Sequence, residues 1–192
     1  MASKLSCDFY RQPTLDVAKT LIGKKFVHRN SKGKLSGRIV EVEAYIGEDD
    51  PACHARFGMT GRNSVMYGDG GHLYVYFIYG MYNMLNFVTE DEGVPAAVLI
   101  RAIEPLEGIS EMQANRACID ERQLCSGPGK LCQAFGVKVS DTGKSLTGAE
   151  FSVVDDGIQP GQIVARTRIG IRQGRDLLWR FYDSESKFVS RK

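Results

Sequence analysis

Hydrophobic and polar residues alternate along "LSGRIVEVEAYIG", a run that is also rich in β-branched residues. This period of two predicts a strand whose successive side chains point to opposite faces of a sheet. Small apolar residues share one face, and two glutamates and a tyrosine share the other: Val40, Val42 and Ala44 against Glu41, Glu43 and Tyr45. The stretch "KKFVHR" precedes it across the polar segment "NSKGK", so the two strands are expected to form a hairpin.

Further strands are predicted downstream by the same kind of pattern. "HLYVYFIYGMYNMLNFVTE" is expected to form two strands joined by a tight turn at "YGMYN". "VPAAVLIRAIEP" is largely apolar and predicts a well-buried strand that ends at Pro105. "FSVVDDG", "GQIVARTRIGI" and "WRFYD" predict three short strands in the last part of the chain.

Other segments have helical features. "PTLDVAKTLIG" predicts a helix capped by Thr14 and stopped by Gly23. "PLEGISEMQANRACIDER" has helical character, and "CSGPGKLCQAFG" predicts a helix with Ser126 and Pro128 at its start and Gly136 at its end. Hairpins dominate over strand–helix alternation. We therefore expect an α+β fold in one domain, residues 1–192, with a curved, mainly antiparallel sheet, flanking helices and a protruding β-hairpin.

The segment from Glu48 to Gly71 shows no sustained periodicity and is rich in Gly, Asp and Arg. Loops of this length in a compact domain are usually functional or disordered. We expect a long ordered loop here.

Composition narrows the class of protein. A chain of 192 residues is long enough for one domain with a sizeable core. No apolar run reaches the ~18 residues of a membrane span, and "MASKLSCDFY" lacks the apolar stretch of a signal peptide. The 5 cysteines are therefore expected to be reduced thiols in the cytosol.

Charge by itself decides little about partners. The net charge is +2, but acids cluster in "EDD" and "EDE", while "ARTRIGIRQGRD" and "SRK" are strongly basic. Phosphate binding requires a local basic patch and not a basic average. The asymmetry would suit a face that meets phosphates, although basic tails are also common on solvated surfaces.

"CSGPGK" approaches the phosphate-binding loop motif without completing it. Cys125 stands where that motif needs a glycine, and Leu131 follows Lys130 where it needs Ser or Thr. The segment is interpreted as a helix start, whose free N–H groups could still hold a DNA phosphate.

The cysteines do not form a metal-binding motif. Cys118, Cys125 and Cys132 recur every seven residues, and Cys53 precedes His54, but no C-x-x-C or H-E-x-x-H spacing occurs. Core or surface thiols are expected, and no metal site. Spacing alone leaves a Cys/His nucleophilic pair open.

Tyrosines crowd the second predicted hairpin. Tyr74 and Tyr76 share a face by alternation, while Tyr79 and Met81 fall at the tip. Tyrosine is common in strands, so the pattern alone is ambiguous. A bulky aromatic residue followed by methionine at an exposed tip nevertheless needs a partner, either a protein surface or a stack of DNA bases.

Candidate chemistry gathers at the end of the glutamate-bearing strand. Glu43 and Tyr45 face the same way, and His54 and Arg62 lie in the loop that follows. Such a set could form a site where a base activates water. A solvated strand face with incidental loop charges explains the same pattern, and the residues alone leave both interpretations open.

Four segments, found in order, closely resemble the alkyladenine (3-methyladenine) DNA glycosylase family. They are "EVEAYIGEDDPACHARFGMTGRN", "LYVYFIYGMYNMLN", "VLIRAIEPLEG" and "LCSGPGKLCQAFG". The resemblance runs from about Leu21 to about Tyr182, and the compact length is similar to that of bacterial members.

This resemblance implies a monofunctional DNA glycosylase of base excision repair. Such an enzyme flips damaged purines from double-stranded DNA, of the 3-methyladenine, 7-methylguanine, hypoxanthine and ethenoadenine type. It hydrolyses the N-glycosidic bond with a glutamate-activated water and leaves an abasic site. The resemblance also implies no metal or redox cofactor, no membrane, a monomer, and a place in the bacterial cytosol near the nucleoid.

Matched residue by residue, the resemblance assigns catalytic roles to Glu43 and Arg101. Glu43 takes the place of the general base, and Arg101 that of the arginine which helps to hold the water. Asn86 corresponds to an asparagine at the pocket floor that disfavours normal guanine. Glu41 is left as an ordinary residue that pairs with a basic neighbour.

The remaining matches concern the extruded base and the gap that it leaves. Tyr45, His54 and Tyr76 correspond to residues that line the pocket and stack on the base. Tyr79 matches the side chain wedged into the DNA, with Met81 beside it at the intercalating tip.

Departures from the family pattern are modest. Gly61 stands where proline is frequent, Met84 replaces a common cysteine, and "GDGG" stands where a Pro-Gly turn is usual. Two alternatives remain beside the glycosylase: a non-enzymatic nucleic-acid-binding domain, and a small-molecule nucleoside hydrolase.

Overall fold

The described part of the chain, residues 2–192, forms a nine-stranded antiparallel sheet with helices packed against it in a computed structural model. The strands are β1 (Ser3–Lys4), β2 (Lys25–Asn30), β3 (Gly33–Ile46), β4 (Leu73–Ile78), β5 (Tyr82–Val88), β6 (Ala96–Glu107), β7 (Phe151–Asp155), β8 (Ile163–Arg166) and β9 (Arg180–Asp183). The helices are α1 (Cys7–Tyr10), α2 (Thr14–Leu21), α3 (Ile109–Arg116), α4 (Glu121–Leu124) and α5 (Pro128–Phe135).

The long strand β3 lies at the centre of the sheet, whose order is β1-β7-β2-β3-β6-β5-β4. β6 pairs with one edge of β3 from Ser36 to Ile46. The other edge is shared, because β2 pairs with residues 33–38 and β9 pairs with residues 41–43. The glutamates of β3 therefore lie between two neighbouring strands, which already argues against a solvated edge.

Two amphipathic helices cover the sheet and complete the main core. α2 packs on β3 and β6, and α5 packs on β5 and β6. Burial of each large apolar side chain in such a core contributes about 1.5–3 kcal/mol. The largest buried members of the core are Tyr10, Phe26, Phe87, Phe135 and Phe151.

The second hairpin, β4–β5, is held close to the start of α5. A Cβ added to Gly129 would lie 2.7 Å from the Tyr82 ring, so only glycine allows this approach of helix and hairpin. At the turn, Tyr79 and Gly80 both have positive φ values, 56° and 68°, as type I′ turns require. A non-glycine residue is uncommon in this backbone conformation.

The predicted fold class is confirmed, as are most predicted elements. The helix α2, both hairpins, the strand β6, the helix α5 and the short strands β7, β8 and β9 occur where the sequence patterns indicate them. β8 ends at Arg166, however, so the predicted strand "GQIVARTRIGI" is wrong for residues 167–171. Residues 48–71 are mainly loop and turns, with a short 3-10 helix at Ser64–Tyr67 that was not predicted. β1 and α1 were also not predicted. No helix within residues 2–192 is long and apolar enough to cross a membrane.

The predicted cap at Thr14 is wrong. Thr14 is the first residue of α2, and Pro13 occupies the capping position. The Thr14 hydroxyl instead donates to Glu90 Oε1 at 2.6 Å, and the same carboxylate oxygen accepts the Thr14 amide N–H at 2.6 Å. The Glu90 carboxylate, 76 positions away in sequence, thus accepts the backbone N–H at the start of α2. The local sequence cannot indicate such a contact.

The predicted end of β6 at Pro105 is also wrong, because the strand continues to Glu107. Pro105 lies opposite Gly37, next to a register shift between Ser36 and Gly37. Proline has no N–H to donate to the ladder, and such an irregularity removes the need for one.

Candidate active site

Glu43 is completely buried near the end of β3, and each of its carboxylate oxygens has partners. The Tyr45 hydroxyl donates to Oε2 at 2.8 Å, and the Ile169 amide N–H donates to Oε1 at 2.7 Å. Arg101 Nη1 lies 3.2 Å from Oε1. Hydrogen bonds and a cation of this kind fix the orientation of the carboxylate. Oε2 keeps acceptor capacity for a further donor.

Arg101 connects this carboxylate to a second one. Its Nε donates to Glu41 Oε1 at 3.0 Å, and Arg180 Nη1 donates to the same oxygen at 3.0 Å. The Ser190 amide N–H donates to Glu41 Oε2 at 2.7 Å. Two carboxylates and two guanidinium cations thus follow each other in the order Glu43, Arg101, Glu41, Arg180, each in contact with the next, and we call them the buried ion network.

The environment of the buried ion network shifts the pKa of Arg101 and that of the neighbouring Tyr45. Burial would lower the pKa of Arg101, but the carboxylates of Glu43 and Glu41 outweigh it and raise that pKa above its ordinary value. Burial, together with the negative charge of Glu43, raises the pKa of Tyr45 well above its ordinary value. Tyr45 therefore keeps its proton at neutral pH and remains a hydrogen-bond donor to Glu43.

A solvated face for the two glutamates, one of the two interpretations left open by pattern, is wrong. Both carboxylates have 0% exposure. Alternation does place them on the opposite face from Val42, yet both faces of the sheet are covered here. The covering comes from residues 167–171 and from Ser190, more than 100 positions further along the chain.

A cavity of about 320 Å³ is lined in part by Tyr45, Arg101 and Ile169, the three residues that contact the Glu43 carboxylate. This volume lies at the lower end of the range for small-ligand sites. Its wall includes six residues that the resemblance assigned to a base pocket, to catalysis or to intercalation: Tyr45, His54, Tyr76, Tyr79, Asn86 and Arg101. Glu43 itself lies behind that wall, in contact with Tyr45 and Arg101. Met81 does not line the cavity.

Aromatic rings form one side of the cavity. The rings of His54 and Tyr76 meet edge to face, with centroids 4.5 Å apart at 74°, and Tyr74 lies 5.5 Å from Tyr76. His54 Nδ1 shares a hydrogen bond of 2.8 Å with the Tyr74 hydroxyl. The guanidinium of Arg62 lies 5.0 Å from the Tyr76 ring centroid, in cation–π range.

Burial and Arg62 also set the protonation of these aromatic residues. Burial, with repulsion from Arg62, lowers the pKa of His54, so its imidazole is neutral at pH 7. Burial raises the pKa of Tyr74 to about 12 and that of Tyr76 still further. This aromatic side of the cavity, formed by His54, Tyr74 and Tyr76, is therefore uncharged at neutral pH and can hold either a neutral or a cationic ring.

Asn86 lines the cavity in a fixed orientation. Its Nδ2 donates to the backbone carbonyls of Tyr74 at 3.0 Å and Met84 at 3.2 Å. Both amide protons are thus used by the protein. The side-chain carbonyl oxygen remains available as an acceptor.

The turn of the second hairpin carries large apolar side chains into solvent. Phe77 is 51% exposed, Tyr79 is 70% exposed and Met81 is 60% exposed. We call residues 77–81 the hairpin tip. Because Tyr79 also lines the cavity, this apolar tip stands next to the cavity mouth.

The segment 167–171, which we call the strap, completes the site and was predicted only as part of a strand. Arg168 anchors it by a bidentate pair with Asp50, with N–O distances of 2.6 and 2.7 Å and both side chains fully buried. Arg168 also donates to the Ala44 carbonyl and lies 4.6 Å from the Tyr45 ring centroid. The strap then places Ile169 N–H on Glu43.

Sequence reasoning missed Asp50, Arg168, Ile169 and Arg180. The acidic cluster "EDD" and the basic run "ARTRIGIRQGRD" contain the first three, so local charge was the available signal. Charge runs are usually solvated, and nothing in their spacing indicates that Asp50 and Arg168 meet across 118 residues.

The segment "CSGPGK" and the buried cysteines, which match no complete phosphate- or metal-binding motif, have structural roles. Pro128 begins α5 and also lines the cavity, which agrees with the interpretation of "CSGPGK" as a helix start. Cys53, Cys125 and Cys132 are buried, as core thiols should be, and burial raises the pKa of Cys53 to about 11. Within residues 2–192, no cluster of three or more His, Cys, Asp or Glu side chains could hold a metal ion.

Comparison with known proteins gives a consistent assignment. The model of the family described as Methylpurine-DNA glycosylase (MPG) matches residues 8–187. A protein of Methanocella arvoryzae is 51% identical over 189 residues, which is 96% of this chain and 94% of its own. Proteins of Chlorobaculum tepidum and Alkaliphilus oremlandii are 48% and 46% identical and cover 98% of this chain. The match covers 91% and 100% of their own lengths, and all three carry the name "Putative 3-methyladenine DNA glycosylase".

Proposed function

The chain belongs to the methylpurine-DNA glycosylase family, and we propose that it excises damaged purines by extruding them into the cavity beside Glu43. As a member of that family it is a DNA glycosylase, an enzyme of DNA repair. The proposal concerns the substrate, the mechanism and the residues. Its main support is the position of a caged carboxylate directly behind the wall of an aromatic cavity.

Glu43 is the proposed general base. A water at the cavity side of Arg101 and Glu43 gives one proton to the carboxylate as its oxygen attacks C1′ of the sugar. The N-glycosidic bond breaks, and the departing base keeps the bonding electrons. The contacts from Tyr45 and Ile169 hold the carboxylate in one orientation, and general base catalysis of this kind contributes about 10²–10⁴-fold.

The cavity wall supports purine bases as ligands, in particular cationic ones. Tyr76 and Tyr45 present aromatic faces, which attract an alkylated cationic purine by about 0.5–2 kcal/mol. Asn86 offers a carbonyl oxygen at the floor. We propose 3-methyladenine, 7-methylguanine, hypoxanthine and ethenoadenine as the lesion class.

Double-stranded DNA is the proposed partner because the hairpin tip is apolar and stands at the cavity mouth. Extruding a base costs a few kcal/mol, and stacking of Tyr79 in the vacated space returns about 1–3 kcal/mol. A free nucleoside would leave the hairpin tip without a role. We propose a monomer acting in the cytosol, without a metal or redox cofactor.

The proposed enzyme is monofunctional and leaves an abasic site. A glycosylase that also cuts the backbone needs an amine nucleophile at the sugar. The cavity wall, as described for residues 2–192, contains no lysine, and Lys130 at the start of α5 donates to Gln123 Oε1 at 2.7 Å.

Replacement of Glu43 by glutamine tests the mechanism. Duplexes with one 3-methyladenine, hypoxanthine or ethenoadenine are incubated with excess enzyme, and strands are analysed with and without hot alkali. Glu43→Gln should lower the single-turnover rate by at least about 100-fold while retaining duplex affinity. Cleavage should appear only after alkali.

Glu104→Gln serves as the matched control, because Glu104 is a half-buried glutamate of the neighbouring strand β6 outside the cavity wall. It should excise at the wild-type rate. Full activity of Glu43→Gln would eliminate the proposed base. Equal hydrolysis of free inosine and of the duplex lesion by the wild type would replace the proposal with a nucleoside hydrolase.

A further inference from the structure

A second cavity of about 560 Å³ lies beside the first and is strongly basic. Its wall contains cationic side chains from three parts of the chain that are close only in the fold: Arg168, Arg172, Arg175, Arg180, Arg191 and Lys192. We call this cavity the basic cleft. The composition of the last part of the chain shows its charge, but only the fold gathers that charge in one place.

Two of these cations are already neutralised. Arg168 is paired with Asp50, and Arg180 is paired with Glu41. Both are buried, so they form the inner wall of the cleft. Arg168 Nε is buried and has no hydrogen-bond partner within the described residues, so the inner wall retains an unused donor.

The other four cations are exposed and lack an acidic partner. Arg172, Arg175, Arg191 and Lys192 form no ion pair within residues 2–192. Two of them donate hydrogen bonds to backbone carbonyls, which carry no net charge and therefore do not neutralise the cations. Arg175 Nε donates to the Ile171 carbonyl at 3.1 Å, and Lys192 Nζ donates to the Ser184 carbonyl at 2.6 Å.

Gathering cations without acids is unfavourable unless an anion joins them. At a separation of about 4 Å, two like charges repel by roughly 1 kcal/mol in water and more near a protein surface. Arginine is particularly suited to phosphate, since its planar guanidinium donates two parallel hydrogen bonds to the oxygens. The basic cleft therefore has the chemistry of a phosphate site.

The strap borders both cavities. Ile169, Gly170 and Ile171 line both of them. Three residues span at most about 10 Å of extended chain, whereas successive phosphates of one DNA strand follow each other every ~3.4 Å along the helix axis. A strand that places one nucleotide in the first cavity thus brings neighbouring phosphates within reach of the cleft.

We propose that the basic cleft binds backbone phosphates of the DNA strand whose nucleotide occupies the cavity beside Glu43. This inference rests on the proposed function for the choice of strand. Bound phosphates would hold the flanking strand on one side of the strap while the base lies on the other. The ligand is a phosphodiester of a polymer, and free inorganic phosphate offers the same oxygens without the neighbouring base.

The test is the salt dependence of duplex binding by Arg172→Gln/Arg175→Gln. Affinity for a hypoxanthine duplex is measured by fluorescence anisotropy between about 50 and 200 mM NaCl. Each lost phosphate contact should reduce the slope of log Kd against log salt by about 0.9. We expect a decrease of about 1–2 in slope and about ten-fold weaker binding at the lowest salt.

Two control variants distinguish the effect of where the charges lie from the effect of how many charges are removed. Arg29→Gln/Lys32→Gln removes two exposed cations on β2 and its following turn, outside both cavity walls, and should keep the wild-type slope. Arg172→Lys/Arg175→Lys retains the charges in the cleft and should keep most of the slope. Thermal unfolding of every variant verifies that the fold is intact.

The outcomes distinguish this inference from the proposed function. If the wild type excises lesions and both glutamine pairs show equal slopes, the cleft does not bind the strand. If the wild type never excises but the slope falls only for the Arg172 and Arg175 pair, the cleft stands and the proposed function fails. Competition of inorganic phosphate equal to that of an undamaged duplex, at equal phosphate concentration, would overturn the polymer as the ligand.

Discussion

The buried ion network and the hairpin tip flank the same cavity, but they are opposite in character. The network, Glu41, Glu43, Arg101 and Arg180, has no exposed carboxylate and satisfies its charges internally. The hairpin tip, residues 77–81, exposes three large apolar side chains and holds Tyr79 at a φ of 56°. The charges of the network are paired within the protein, whereas the apolar side chains of the hairpin tip are left in solvent.

This contrast indicates how the site divides its tasks. Catalytic groups benefit from fixed orientation, because the protein then needs no rearrangement when charge develops. A group that must fill a gap in DNA has to be exposed before binding, and its burial then contributes affinity. The network should therefore govern stability and rate, and the tip should govern binding.

The largest effect is expected from breaking the network at Arg101. Arg101→Met leaves Glu43 without its cation and Glu41 with one cation, both still buried. Removing one partner of a buried ion pair costs about 3–5 kcal/mol. The free energy of unfolding from urea denaturation should fall by that amount, and excision should also fall.

Arg11→Met is the matched control for burial. Arg11 also lies near carboxylates, with 2.8 Å to Asp69, but it is 41% exposed. An exposed ion pair contributes less than about 1 kcal/mol to stability. Arg11→Met should therefore lower the free energy of unfolding only slightly. Equal destabilisation by the two substitutions would show that burial does not give the network its importance.

A smaller effect is expected from the hairpin tip, and it should appear in binding alone. Tyr79→Gly removes the wedge and relieves the positive φ. Affinity for a lesion duplex should fall by about 1–3 kcal/mol, the value of one stacking contact. Thermal stability should stay equal or increase.

Ala117→Gly controls for the backbone part of this change. Ala117 also has a positive φ, 47°, and lies at the end of α3, outside the cavity wall. It should leave DNA affinity unchanged. If Tyr79→Gly unfolds the protein or binds as tightly as the wild type, the hairpin tip does not have the role assigned to it.

The smallest effect concerns His54, which lies between the two regions. Its pKa is lowered by burial and by Arg62, so the unfolded chain binds a proton that the folded chain does not. Stability should therefore decrease as the pH falls below about 6.5, the pKa of an unperturbed histidine, and should be flat above it. Urea denaturation between pH 5 and about 7.5 measures this, and His54→Gln should show a smaller decrease than the wild type.

The elements that the sequence predicted are those determined by local pattern. α2 and α5 have apolar faces of helical period, and the hairpins have alternating strands with turn residues between them. The side-chain alternation of β3 holds only in part. Val42 and Ala44 belong to the main core, whereas Val40 is not a member of it and lies at an irregularity of the strand pairing between Ile39 and Glu41. The resemblance pointed to residues that the fold does gather around one cavity, although their roles remain proposals.

The tertiary structure decided what covers each face. Whether Glu43 is solvated or buried depends on Ile169 and Arg101, which lie far from it in sequence. The start of α2 depends on Glu90, and the anchoring of the strap depends on Asp50. Periodicity reports which residues share a face, but a carboxylate is buried or exposed according to what packs on that face. Contacts between residues 60, 126 and 149 positions apart leave no trace in local spacing, and they bury the two strand glutamates and fix their orientation.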